Sequence, residues 1–185
     1  MESRHNVVNR ASQPDYDLMV ASVEELNADH PGARDWEDSP FSWLLPLAPS
    51  TRGAVGRRLV ETWSTNLGVF DGRIRSNNQT YLILKGKRVQ VKLSTRWVNG
   101  QYRFQQIRDQ PYDYLFCLGL SPSDVHAWLI PKDEAMLHLA GTSGQHTGAG
   151  ATETLWLNVD PTLPQGWLSE YGDQLSDVRL ALRSL

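Results

Sequence analysis

At 185 residues, 40% of them hydrophobic and 21% charged, the chain has the size and make-up of one globular domain, long enough to bury a core without a disulfide framework or structural metal. Its single cysteine, Cys117, excludes an intrachain disulfide and a cysteine-based zinc cluster. The net charge of −3 hides a segregation: residues 51–108 hold twelve of the eighteen Lys and Arg but only two of the twenty-one acids, Glu61 and Asp71.

In chain order, residues 1–13 read as a loose polar end, and Asp15–Asn27 as a short acidic helix with Leu18, Val23 and Leu26 at helical spacing. A loop and a proline-broken apolar stretch follow, so residues 1–50 are expected to form an acidic extension packed on a core of residues 51–185. Pro49, Ser50 and Thr51 signal a helix start, Val55, Leu59, Val60, Trp63 and Leu67 share one face, and Gly68 ends the helix. Strands are expected over 69–74, 81–84 and 88–94, the last two joined by a tight Lys85-Gly86-Lys87 turn.

Residues 101–108 read as a helix stopped by Pro111. The nearly all-apolar run 114–120 reads as a strand covered on both faces. A strand at 125–130, a helix at 133–140, a glycine-rich loop at 141–152, a strand at 155–159 and a helix from Asp173 complete the chain. This order predicts an α/β fold with a mixed sheet flanked by helices. The longest apolar run is far below the ~20 residues of a membrane span, and MESRHNVVNR lacks the apolar stretch of a signal peptide. A cytoplasmic protein with no membrane partner is expected.

The strand Arg88-Val89-Gln90-Val91-Lys92-Leu93-Ser94 carries the chemistry. Alternation puts Val89, Val91 and Leu93 on a core face and Gln90, Lys92 and Ser94 together on the other. Asp71, on the first strand, is the carboxylate expected near them. A carboxylate and an amide oxygen suit a hard cation such as Mg2+, and a lysine beside the metal can orient a water and offset phosphate charge. No HExxH spacing, G-x-S-x-G elbow or glycine-rich phosphate loop is present.

Residues 53–131, with the helix RGAVGRRLVETWSTNLG, the strand bearing Asp71, the hairpin ending KGKRVQVKLS, the segment QYRFQQIRDQ and the strand YDYLFCLGL, resemble the PD-(D/E)XK, or restriction-endonuclease-like, nucleases. The resemblance implies a restriction-endonuclease-like core, with Gln90, Lys92 and the carbonyl of Val91 at a Mg2+ site that also accepts Mn2+. It further implies a strand aspartate and a helix glutamate, for which this chain offers Asp71 and Glu61. The family's aspartate commonly stands where this chain has Thr80 and Tyr81. A metal-dependent DNA endonuclease follows as the expectation, of restriction, defence or mobile-element type, often a symmetric homodimer. Arg73, Arg75, Lys87, Arg88, Arg96 and Arg103 would contact phosphates, and Trp97 is placed to stack on a base. The alternative expectation is a DNA-binding module that keeps the nuclease fold without its chemistry.

Overall fold

The computed structural model describes residues 35–76, 78–140 and 154–185. Helix α1 (Pro49–Asn66) opens with proline in its first turn, where a missing N–H costs nothing. It closes in a Schellman motif: Gly68 sits at φ +68, its N–H donates to Thr65 O, and Val69 N–H donates to Ser64 O. The expected acidic helix at 15–27 and the glycine-rich segment at 141–152 lie outside the described residues. In the stretch before α1, Trp36 and Leu44 are buried, Leu44 in the core under α1. Residue 50, the expected boundary, falls inside α1.

Strands β1 (Phe70–Ser76), β2 (Gln79–Leu84) and β3 (Lys87–Thr95) form an antiparallel meander. The β2–β3 turn is the two residues Lys85 and Gly86, both at positive φ, as a tight hairpin with right-handed strand twist requires. Strand β4 (Tyr102–Ile107) leaves this sheet, and β5 (Tyr114–Leu120) returns to it parallel to β3. Strand β6 (Val125–Pro131) runs antiparallel to β5 and leads into helix α2 (Lys132–Leu139). Strand β7 (Leu155–Val159) pairs with β4 as a separate two-stranded ribbon. The short β8 (Gly172–Gln174) borders β6 and is followed by helix α3 (Leu175–Ser184). The main sheet therefore has the order β1-β2-β3-β5-β6-β8 and is mixed, as expected.

Two cores sandwich this sheet. On one face Leu82, Leu84, Val89, Val91, Phe116 and Leu118 pack under α1 and α3. On the other Tyr81, Leu115, Cys117, Trp128 and Ile130 meet Tyr102, Phe104 and Ile107 of β4, Leu157 of β7 and Leu139 of α2. Two glycines set these approaches. A Cβ on Gly56 would lie 2.6 Å from Leu93 Cβ, and one on Gly119 would lie 2.7 Å from the Tyr102 ring. Glycine thus lets α1 and the β4–β7 ribbon close onto the sheet.

Two sequence expectations fail. Residues 101–108 are not a helix. Tyr102 and Phe104 point inward with a period of two, and a bulge between Phe104 and Ile107 inserts one extra residue that turns Ile107 inward again. That slip makes a strand imitate the spacing of a helix face. The last helix begins at Leu175 rather than Asp173, because Gln174 and Asp177 form a capping box and Asp173 belongs to β8.

Candidate functional site

Strand β3 does bring Gln90 and Lys92 to one face, and that face is largely covered, with Lys92 half-buried. Gln90 is only 4% exposed. Its Nε2 donates to Gln110 Oε1 at 3.1 Å, and Tyr81 OH donates to the same oxygen at 3.2 Å. Lys92 Nζ donates to the Gln106 carbonyl at 2.5 Å. That carbonyl is presented by the β4 bulge, where Gln106 is held at φ +55, a conformation uncommon outside glycine. The roof of the site is therefore the end of β4 and the residues leading to β5.

The site is cationic. Burial brings the Lys92 ammonium down to about 8; the charges of Arg108 and Arg57 act in the same direction, against Cys117, its register partner on β5. Burial pushes the Cys117 thiol up, so it stays protonated and unreactive as a nucleophile. Burial likewise raises Tyr112. Gln90 Oε1, Arg108 Nε and Tyr112 OH are buried without a hydrogen-bond partner among the described residues. Such groups cost about 1–3 kcal/mol each when left unpaired, and folded proteins meet them with water, ions or ligands. Chemically the site offers an amine brought down to about 8, and donors suited to an anion.

The carboxylates are elsewhere. Asp71 is the extra residue at a β1 bulge between Phe70 and Gly72, and its Oδ2 accepts from Gly86 N–H at 2.6 Å, capping the β2–β3 turn. At the level of Gln90 the outer strands instead carry Tyr81 on β2 and, paired with it, Ile74 on β1. Tyr81 is fully buried and fills the place next to Gln90. Glu61 lies on the α1 side of the sheet, 3.9 Å from Arg58 and 3.6 Å from Arg73. Asp109 pairs with Lys132 at 2.7 Å, and Asp113 Oδ2 accepts from Arg88 N–H at 2.7 Å.

The Mg2+ (or Mn2+) ligand set expected from Asp71, Gln90 and Val91 therefore does not fit this geometry. Asp71 is two strands away at the turn end, held by the Gly86 amide. Among the described residues no group of three or more His, Cys, Asp or Glu is placed to hold a metal ion.

The expected phosphate contacts divide as well. Arg73, Arg75 and Lys87 are exposed on the α1 side of the outer strands, where Arg58 joins them. Arg88 is engaged internally, its Nη1 donating to Pro111 O at 2.7 Å. Arg96 lies beyond the far end of β3, 3.6 Å from Asp35, and Arg103 stacks on Trp97 and Trp156.

Tyr81, Gln110 and Arg108 are site residues that the sequence reading did not single out. Tyr81 had a signal: a two-residue turn at Lys85-Gly86 pairs 84 with 87, and by alternation sets 81 beside 90. Gln110 had none, because its place depends on the path the chain takes after the β4 bulge. The sequence matches no protein-family model and no curated protein. No described helix is long and apolar enough to cross a membrane.

Proposed function

We propose that the protein is a nucleic-acid-binding module on a restriction-endonuclease-like sheet, in which the Gln90–Lys92 strand serves binding and structure rather than metal-dependent hydrolysis. The order of a helix, a three-strand antiparallel meander and a strand parallel to its third agrees with the resemblance, apart from β4 standing where a helix was expected. The basic surface at Arg58, Arg73, Arg75 and Lys87 supplies the attraction for a polyanion, with Glu61 as the acid paired into it. One observation carries the reading over hydrolysis: Asp71 is tied to the Gly86 amide while Tyr81 stands beside Gln90.

The test is fluorescence anisotropy of a labelled DNA duplex in EDTA. Binding is expected without divalent ions, weakening steeply between about 50 and 200 mM salt. Absence of binding at low salt, or an absolute need for Mg2+, contradicts the proposal.

A second reading, a metal-dependent DNA endonuclease, is favoured by one feature. Gln90 Oε1 is buried, with no partner among the described residues, on the same face as an amine brought down to about 8. It needs an acid from outside the described residues or from a second copy of the chain.

A further inference from the structure

The β4–β7 ribbon carries an aromatic and cationic cluster remote from the Arg73–Arg75 surface. The turn after β3 is closed by Trp97 N–H to Gln101 O and by Gly100 N–H to Trp97 O, both 2.9 Å, with Gly100 at φ +83. That closure fixes where Trp97 stands. The Arg103 guanidinium lies over the Trp97 ring, 4.3 Å from its centroid, and 5.5 Å from that of Trp156 on β7. Arg103 Nε donates to Asn158 Oδ1 at 3.0 Å, and its backbone N–H donates to Ser94 Oγ at 2.9 Å, so both ends of the residue are held. With the guanidinium in place Trp97 remains 46% exposed, and its neighbour Val98 is 73% exposed.

A large aromatic ring left in water costs hydrophobic free energy, and this one is fixed in position instead of being folded away. The surrounding chemistry selects the occupant. A flat π face backed by Arg103, with Arg96 next in the chain and paired with Asp35, complements a flat base followed by a phosphate. A duplex hides its base faces in the stack; an unpaired strand presents them.

We propose that Trp97, backed by Arg103, is a base-stacking subsite for unpaired nucleic acid. This rests on the nucleic-acid reading above and adds to it a second surface with its own specificity. The Arg73–Arg75 face supplies charge and accepts a duplex; the Trp97 turn captures an exposed base from a single-stranded end or loop.

The experiment compares three labelled probes on the full chain: a short oligothymidylate, an abasic oligomer of the same length and a DNA duplex. Trp97→Ala and Trp97→Phe are measured beside the wild type, with thermal unfolding to confirm that both variants fold. The wild type is expected to prefer oligothymidylate over the abasic strand. Trp97→Ala should lose about tenfold of its oligothymidylate affinity, as removal of one stacked base predicts, with duplex affinity unchanged and Trp97→Phe retaining most of it. Equal affinity for abasic and oligothymidylate strands overturns the subsite. So does an equal loss of duplex and single-strand binding in a folded Trp97→Ala protein, or binding of duplex alone by the wild type. Failure of the wild type to bind any of the three overturns the nucleic-acid reading itself, and the subsite with it.

Discussion

Replacing Lys92 with methionine makes folding stability depend on pH differently from the wild type, and the difference is confined to alkaline conditions. The Lys92 ammonium is brought from 10.5 to about 8 by burial, so between those values the unfolded chain holds this proton and the folded chain does not. Stability rises with pH wherever the unfolded state binds more protons. Wild-type stability therefore gains on that of Lys92→Met as pH climbs from about 8 to about 10.5, by about 3 kcal/mol in total. Below pH 8 both states of the wild type carry the proton and the difference is flat. Urea unfolding of the pair at pH 7 and near pH 10.5 reads the effect directly. A difference that does not change with pH would mean that Lys92 is solvated like any surface lysine and that the roof formed by Gln106 is open.

Removing the three exposed cations of the outer strands, Arg73→Ala, Arg75→Ala and Lys87→Ala together, is expected to weaken duplex binding on the order of a hundredfold at low salt. Each phosphate contact contributes about one unit to the slope of log affinity against log salt, so the triple variant should also lose about three units of slope. The three side chains lie on one face: Arg73 and Arg75 are paired across β1–β2 with Leu82 and Thr80, and Lys87 pairs with Leu84. They are exposed, and Arg73 shares only a partly screened ion pair with Glu61, so the fold should survive their loss. Arg179→Ala with Arg183→Ala, on the exposed side of α3, is the control, two cations removed against three, and should change little. An equal loss in the control would reduce the effect to overall charge and remove the special place given to β1.

What was legible in the sequence was mostly local. Pro49 and Gly68 punctuate α1 through backbone chemistry that no tertiary contact overrides. The Lys85-Gly86 turn fixes the β2–β3 register, and alternation along β3 correctly puts Gln90 and Lys92 on one face. The apolar run 114–120 is a central strand because both of its faces are covered. The failures at the site share a physical origin. A bulge changes the phase of a strand without leaving a mark in composition, and two bulges decide this site. The one at Gln106 turned an apparent helix into β4 and lowered a carbonyl onto Lys92. The one at Asp71 directed the only strand carboxylate of the basic segment towards the Gly86 amide. The charge segregation was real in the sequence, but it could not tell that Arg88 is engaged internally or that Arg103 belongs to an aromatic stack on another face.

These assignments converge on one separation, between an acid that caps a turn and an amide–amine pair roofed by β4. The assay that bears on it most directly is incubation of supercoiled plasmid with the full chain in Mg2+ and in Mn2+, with Asp71→Ala and Lys92→Ala proteins alongside. Retarded but intact supercoiled plasmid is the expected result for the wild type and for Asp71→Ala alike. Nicking or linearisation by the wild type that both substitutions abolish would contradict it, because Asp71 and Lys92 would then have to act at one metal.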